Sequence, residues 1–291
     1  ARLDEQEYRD MLEGKEVIRE YMTSFNLGSR KQIGEYLVGL GWKPKKFTQA
    51  SGQPVVDEAT LSSIKNIPEA SLIAEYLLLQ KRIAQISSWL KLIEDTGRVH
   101  GFVNSNGAVT SRMTHSYPNM AQIPSTYSPY GKECRECWIV PEGYKLVGID
   151  ASQLELRCLA HYMNDQEYTD EIVKGDIHTR NQQLAKLESR SQSKSFIYAL
   201  LYGAGDAKLG QVVGRGRAAG KELRERFFDS LPSFKAFKDR VSREAKSGYV
   251  KGLDGRHIKV RNEHAAVNTL LQGAGAIIMK EALVIFDKKI K

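Results

Sequence analysis

Leu146-Val-Gly-Ile-Asp-Ala-Ser-Gln-Leu-Glu-Leu-Arg157 is the stretch that decides the predicted fold. The apolar run before Asp150 predicts a strand over residues 145–150, which delivers one carboxylate to the edge of a sheet. A second carboxylate, Glu155, follows five residues later, where helical periodicity begins. From the residues alone, Asp150 is either a helix cap or an oxygen ligand of a divalent cation, and Glu155 is a first-turn carboxylate favoured by the helix dipole.

A predicted helix downstream carries two cations and two aromatic rings at a regular spacing. Its residues Arg190, Lys194, Tyr198 and Tyr202 are four apart, and Gly203 follows. At 3.6 residues per turn, each step moves the side chain about 40° around the helix, so all four lie on one face. Such a face is either a solvated basic stripe beside core tyrosines or a clamp for a polyphosphate beside a flat surface for a base.

Together these two segments resemble motifs A and B of family A DNA polymerases. The first reads D-A-S-Q-L-E-L-R and the second reads R-x-x-x-K-x-x-x-Y-x-x-x-Y-G. Three more stretches are similar to the family's patterns: G-A-V-T-S-R-M-T-H around Arg112, G-D-I-H-T around His178, and H-A-A-V-N-T-L-L-Q at residues 264–272. The chain departs from the family at Ser111, where the family has glycine. The resemblance covers about residues 26–291 and is nearest the phage replicative branch, which has Tyr rather than Phe at the position of Tyr198.

The resemblance implies a metal site and a sugar gate. Asp150 and the carbonyl of Ala151 would bind two Mg²⁺ ions, with Mn²⁺ as the alternative ion, for phosphoryl transfer. Glu155 would lie under the sugar and leave no room for a 2′-hydroxyl, so the substrate would be a deoxynucleotide. Single-subunit RNA polymerases that share the architecture lack a Glu at this position, so Glu155 argues against that class.

The resemblance also implies the nucleotide contacts. Arg190 and Lys194 would grip the triphosphate, and Lys194 would donate a proton to the leaving pyrophosphate. Tyr198 would stack near the sugar and base, Tyr202 would pack beside the templating position, and His178 would add a hydrogen bond to the phosphates. From residue type alone, a single His is more often structural.

The resemblance further implies that four residues contact the primer-template duplex: Arg112, His264, Asn268 and Gln272. In the minor groove, A·T and G·C pairs both offer acceptors. Contacts there therefore check the shape of a base pair without reading its sequence.

The composition favours a polyanionic partner. The chain has 43 Lys and Arg against 35 Asp and Glu, a formal net charge of +8, and a basic excess is typical of nucleic-acid binding. Three unevenly placed cysteines predict a reducing compartment, and Cys134-x-x-Cys137 lacks the further ligands of a closed zinc site. No uninterrupted apolar run reaches about 18 residues, so no spanning helix and no membrane partner are expected. We expect a cytoplasmic location, in the bacterial host if a phage encodes the chain.

The predicted fold class is α+β with the right-hand polymerase architecture: an antiparallel palm sheet, mostly helical fingers and a partial thumb. Residues 1–97 are assigned to the partial thumb, 98–163 to the palm with motif A, 164–263 to the fingers with motif B, and 264–291 to the second part of the palm. Helices are predicted over residues 1–22, after Ser29, over 68–95 and from about His264 onward. A hairpin is predicted over residues 248–256.

The second acidic metal ligand is missing. The family supplies it from an H-D-E hairpin, motif C, a few tens of residues beyond the Gln272 segment, and no H-D-E occurs in this chain. The implied function is template-directed DNA synthesis from dNTPs on primer-template DNA, with motif C on a further segment or a separate polypeptide. The alternative is a primer-template and nucleotide-binding fragment without catalysis. A processivity factor and a separate exonuclease are further candidate partners.

Overall fold

The computed structural model of the chain describes residues 5–15 and 24–290. The described residues form two compact units. One unit comprises the described residues up to Gly97 together with Thr126–Cys134, and the other comprises Arg98–Ser125 and the described residues from Arg135 onward. Of the helix predicted over residues 1–22, the structure has α1 (Glu5–Leu12), and residues 16–23 lie outside the described part.

Three further helices precede Gly97: α2 (Arg30–Gly39), α3 (Glu58–Ser63) and α4 (Pro68–Leu90). Helix α2 begins where predicted, because the Ser29 hydroxyl accepts a hydrogen bond from the backbone N–H of Gln32 at 3.3 Å. Helix α4 ends five residues before its predicted end at residue 95. These helices bury one aliphatic cluster, which includes Ile33, Leu37, Leu61, Ile67, Ala70 and Ile73.

The remaining helices follow one another along the chain. They are α5 (Gly131–Glu136), α6 (Leu154–Met163), α7 (Gln166–Lys174), α8 (Ile177–Ala185), α9 (Arg190–Leu201), α10 (Asp206–Val212), α11 (Arg217–Ser230), α12 (Pro232–Ala245) and α13 (Ala266–Ile290). Helices α6 to α13 share one large hydrophobic core, with Phe196, Phe227 and Phe234 fully buried at its centre. Glycines at residues 203–205 and 214–216 lie in the breaks between α9, α10 and α11.

Two antiparallel hairpins complete the described structure. Strand β1 (Phe102–Asn104) pairs with β2 (Thr114–Ser116), and β3 (Tyr249–Lys251) pairs with β4 (His257–Lys259). Val250 lies opposite Ile258, and both are buried, so this hairpin lays its apolar face on the core. The α+β class is confirmed, as is the hairpin predicted over residues 248–256.

The strand predicted over residues 145–150 is wrong. This segment has no regular secondary structure, and no described strand pairs with it. Leu146, Val147 and Ile149 are 83%, 78% and 73% exposed. An apolar run forms a stable strand only where a neighbouring strand takes its backbone hydrogen bonds and another layer covers its side chains. Among the described residues, this segment has neither a partner strand nor a covering layer. The described strands form two separate hairpins and not one continuous palm sheet.

Helix α13 makes up most of a helical stretch that bears on the expectation of no spanning helix. This stretch, which joins the single helical turn Glu263–Ala265 to α13, is long and apolar enough to cross a membrane by length and composition, although charged residues interrupt its apolar runs. The core helix of a soluble protein meets the same test. Most of the first eleven residues of α13, from Ala266 to Ala276, are buried in the core, whereas Leu283 and Phe286 near its end are about half exposed.

Glycines bring α10 and α11 into backbone contact. A Cβ atom on Gly220 would lie 1.9 Å from the carbonyl oxygen of Asp206, and one on Gly210 would lie 2.1 Å from the carbonyl oxygen of Gly216. No larger residue fits at either position without moving a helix. This packing fixes the two helices that follow α9 in the chain.

Candidate functional site

Helix α9 carries the predicted face of cations and tyrosines. The Ser189 hydroxyl caps the helix by accepting from the backbone N–H of Gln192 at 3.2 Å, so Arg190 is the first helical residue. Tyr202 lies one residue beyond the last helical residue and acts as the C-cap. The opposite side of the helix is buried through Ser193, Phe196, Ile197 and Leu200. On the predicted face, Arg190 and Lys194 are exposed, whereas Tyr198 is partly buried and packs against the core.

A forked ion pair joins the start of α9 to the start of α8. The guanidinium of Arg190 donates to Asp176 from Nε to Oδ2 at 2.7 Å and from Nη2 to Oδ1 at 3.0 Å. Asp176 also caps α8, since it accepts from the backbone N–H of His178 at 3.1 Å and from the Thr179 hydroxyl at 2.7 Å. The bond from Arg190, followed by that from Thr179, holds the pKa of Asp176 well below its usual range.

His178 is a buried, neutral side chain in this site. It is 5% exposed, and the Ser193 hydroxyl donates to its carbonyl oxygen at 2.7 Å. Burial lowers the pKa of His178, and the positive charges of Arg190 and Lys194 lower it further, against the opposing effect of Asp176. Its Nδ1 atom is buried and has no hydrogen-bond partner among the described residues. A neutral imidazole still has one N–H to donate to an anion.

Aromatic rings continue the site along α9. The ring centroids of His178 and Tyr198 are 6.2 Å apart, as are those of Tyr198 and Tyr202. Burial raises the pKa of Tyr198, and the negative charge of Glu155 contributes in the same direction. The carboxylate predicted as the sugar gate therefore lies close enough to Tyr198 for its charge to matter.

Glu155 is held by an arginine from the β1–β2 hairpin loop. The Arg112 guanidinium donates from Nη2 to Oε1 of Glu155 at 2.8 Å, with the two side chains 43% and 22% exposed. Sequence reasoning assigned these residues to different partners, Arg112 to the primer-template duplex and Glu155 to the nucleotide sugar. The structure brings them together as one ion pair.

Ser111, which stands where the family pattern has glycine, has a backbone conformation that favours glycine. Ser111 has a φ of +61°, in the left-handed region that glycine favours. Its side chain is almost fully buried, and its hydroxyl accepts a hydrogen bond from Nη1 of Arg256 at 2.9 Å. Arg256 is in turn paired with Asp254 in the β3–β4 turn. Ser111 thus keeps the backbone turn that glycine would make and adds a bond to the β3–β4 hairpin.

Of the other predicted duplex contacts, His264 lies just before α13, and Asn268 and Gln272 lie in its first turns. Asn268 and Gln272 are partly exposed, while the residues around them are buried. The carbonyl oxygen of His264 is 2.2 Å from where a Cβ atom on Gly203 would lie, and Gly203 directly follows Tyr202. A Cβ atom on Gly273 would lie 3.9 Å from the carbonyl oxygen of Thr110. The start of α13 therefore adjoins both the end of α9 and the loop that carries Arg112.

The predicted metal ligands, Asp150 and Ala151, lie just before α6 in the chain. Asp150 is exposed in the irregular segment before α6, and the described residues contain no group of three or more His, Cys, Asp or Glu placed to hold a metal ion. The donors themselves suit Mg²⁺, since the Asp150 carboxylate and the Ala151 carbonyl are both oxygen ligands. One carboxylate is nevertheless fewer than a two-ion site needs.

Sequence reasoning missed Asp176 and Arg256. Both could have been noticed: Asp is a residue type typical of a helix N-cap, and Asp176 stands in the quoted G-D-I-H-T, while Arg256 ends the predicted hairpin segment. Their partners lie 14 and 145 residues away along the chain. Contacts over such separations are set by tertiary packing and leave no local pattern.

Comparison with known proteins identifies a family and relatives of the chain. The family model described as DNA polymerase family A matches residues 1–291. The DNA-directed DNA polymerases of Enterobacteria phage T3 and Escherichia phage T7 are each 45% identical to the chain, and each alignment covers 88% of the chain and 41% of the relative. The chain thus spans about two fifths of the length of these relatives.

A solved structure shows the same fold. It is described as the POL domain of Pol1 from M. smegmatis in complex with DNA primer-template and dNTP. The match has a TM-score of 0.80 and 25% sequence identity, and it covers 98% of this chain and 53% of the other. With the family model matched over the whole sequence, the chain belongs to DNA polymerase family A.

Proposed function

We propose that this chain carries the nucleotide and primer-template sites of an enzyme that transfers dNMP from a dNTP to a primer 3′-hydroxyl. One arrangement supports the proposal above all: Arg190 and Lys194 at the start of α9, beside neutral His178, and the Arg112–Glu155 pair near Tyr198. In this proposal residues 1–97 serve as a partial thumb, 98–163 and 264–291 as palm, and 164–263 as fingers.

The start of α9 binds the triphosphate. A nucleoside triphosphate brings several negative charges, and the two cations at residues 190 and 194 lie one helical turn apart on an exposed face. His178 adds an uncharged donor from the neighbouring helix. The leaving pyrophosphate gains negative charge as the bond to the transferred phosphate breaks, and the Lys194 ammonium is the group that protonates it.

The Arg112–Glu155 pair and the tyrosines bind the rest of the nucleotide. Tyr198 offers a partly exposed ring for the sugar and base, and Tyr202, about half exposed, packs beside the templating position. Glu155 excludes the 2′-hydroxyl of a ribonucleotide. Arg112, His264, Asn268 and Gln272 contact the minor groove of the primer-template duplex.

Asp150 and the Ala151 carbonyl would hold Mg²⁺, or Mn²⁺ in its place. When bound, the two ions neutralise charge on the phosphates and activate the primer hydroxyl. The second carboxylate comes from an H-D-E hairpin on a further segment or a separate polypeptide. A processivity factor and an exonuclease on another chain complete the proposed partners, and the bacterial host cytoplasm is the proposed site of action.

A specific observation favours a second candidate, a binding fragment without catalysis. Asp150 lies in an exposed irregular segment, and the described residues contain no group of three or more His, Cys, Asp or Glu that could hold a metal ion. In that case the chain binds primer-template and dNTP but does not catalyse nucleotide transfer, even when a polypeptide with the H-D-E hairpin is added.

Primer extension by the purified chain separates the two candidates. We expect the chain alone to bind primer-template DNA, with the logarithm of affinity falling against the logarithm of salt concentration by roughly 0.9 per neutralised phosphate, and to add no nucleotide. Adding a polypeptide that bears the H-D-E hairpin should start extension, and Asp150→Ala should abolish it without loss of DNA binding. Failure of the hairpin polypeptide to restore extension would favour the binding fragment. Extension by the chain alone, absent in the Asp150→Ala control, would contradict our account of the missing ligand.

A further inference from the structure

The contact between Asp176 and Arg190 uses only part of the guanidinium. A guanidinium has five N–H groups, and the fork engages one on Nε and one on Nη2. The two N–H groups of Nη1 and the second one of Nη2 stay available for another anion. An arginine can therefore bind a carboxylate along one edge and a phosphate along another.

The carboxylate of Asp176 is itself fixed in place. It accepts from the backbone of His178 and from the Thr179 hydroxyl, both in the first turn of α8, as well as from Arg190. All these bonds are within 3.1 Å. The position of the guanidinium is thus set by the backbone of α8 and not only by the side chain of Arg190.

We propose that Asp176 is a positioning residue for the phosphates of the nucleotide: it orders the Arg190 side chain before the nucleotide arrives. This inference rests on the proposed nucleotide site. A free arginine side chain loses rotamer freedom when it binds a ligand, and a side chain already ordered by a neighbour loses less. Asp176 therefore strengthens nucleotide binding although its own charge has the same sign as the phosphates.

The opposite role for Asp176 makes the opposite prediction. If the carboxylate competed with the triphosphate for Arg190, removing its charge would strengthen nucleotide binding. The geometry favours positioning, because the fork leaves three N–H groups unused and the carboxylate has two further donors that hold it on α8.

The test uses Asp176→Asn in the full 291-residue chain. Asn keeps an acceptor for the cap of α8 but puts an amide where the fork needs a carboxylate oxygen. The probes are a dNTP and inorganic tripolyphosphate, each with Mg²⁺, and the readout is the Kd from equilibrium dialysis. We expect the Kd of both probes to rise roughly three- to tenfold, which lies in the lower part of the range of interaction energies between coupled neighbours. In an Arg190→Ala background, the same substitution should change the Kd by less than about twofold.

A matched control neutralises another carboxylate in the same region. Glu167 pairs with Arg180 and links α7 to α8 at the surface. Glu167→Gln makes the same change in net charge, and it should leave the Kd within about twofold of wild type.

The outcomes are distinct. An unchanged or lower Kd in Asp176→Asn overturns the proposal, and so does an equal loss in the Arg190→Ala background. Wild-type chain that binds neither probe would instead refute the proposed nucleotide site. If Asp176→Asn does not fold, Arg190→Lys decides: Lys keeps the charge but cannot make the fork, so wild-type affinity in that variant overturns the proposal.

Discussion

The Arg112 guanidinium donates to the Glu155 carboxylate at 2.8 Å, across 43 residues of chain. One member of this pair comes from the hairpin loop proposed to contact the primer-template duplex, and the other from the first turn of α6, proposed to exclude ribonucleotides. Because each side chain holds the other, a change in the duplex contact alters the position of the gate. We expect the two properties to be coupled.

We predict that Arg112→Ala weakens sugar discrimination as well as DNA binding. The pair is partly exposed, and such ion pairs contribute about 0.2–1 kcal/mol, so the ratio of rNTP to dNTP affinities should shift by a factor of roughly 1.4 to 5. Competition binding with matched nucleotides measures the ratio. Lys221→Ala on α11 is the control, since it removes an exposed cation whose ion pair, with Glu225, lies along its own helix. A reduced DNA affinity with an unaltered sugar ratio would contradict the coupling.

Glu155→Ala should raise the affinity for rNTP relative to dNTP more than Arg112→Ala does. The substitution removes the side chain that occupies the space of a 2′-hydroxyl, and exclusion by shape acts mainly on the competitor. We expect the affinity for rNTP to rise by roughly tenfold or more while that for dNTP changes little. The same competition assay reports both values, and equal changes for the two sugars would exclude a gate.

His178 should make the stability of the chain depend on pH. Its pKa in the folded chain lies below the ordinary value of 6.5 because of burial, so the unfolded chain takes up the proton first as the pH falls. The free energy of unfolding should be at its plateau above pH 6.5 and decrease below it, by at most about 1.4 kcal/mol per pH unit. Urea denaturation at a series of pH values between about 5.5 and 8 measures the slope. His178→Gln should flatten it, and an equal slope in that variant would assign it to other groups.

Gly220→Ala should destabilise the packing of α10 on α11. The added Cβ atom would lie 1.9 Å from a backbone oxygen, which cannot turn aside as a side chain does. Overpacking of this kind typically costs about 1–3 kcal/mol. Gly39→Ala at the end of α2 is the matched control, because nothing lies within 4 Å of its added Cβ atom. Urea midpoints of the two variants give the comparison, and similar midpoints would show that the two helices separate easily.

The helices and their caps were readable from the sequence because their signals are local. Ser29 caps α2 as predicted, and the four-residue spacing from Arg190 placed the cations and Tyr198 on one helix. The ion pairs of Asp176 with Arg190 and of Arg112 with Glu155 were not predicted, since each joins elements distant in sequence. The metal assignment of Asp150 stays a prediction.

The strand over residues 145–150 failed for a different reason. Its composition suits a buried strand. A strand is stable only when it pairs with another strand, and the composition of one segment does not show whether that partner is present. The same holds for α13, whose apolar surface is buried at its start and exposed at its end.

The exposed run at residues 146–149 also affects how the chain behaves at high concentration. An extended apolar segment without a strand partner is a template for pairing between molecules, and natural proteins restrain such segments with flanking charges. Lys145 and Asp150 are these flanking charges here. Asp150→Ala therefore removes a flanking charge that opposes aggregation, in addition to the proposed metal ligand. The light scattering of that variant should be measured together with its activity, because an inactive variant and an aggregated one would give the same result in a primer-extension assay.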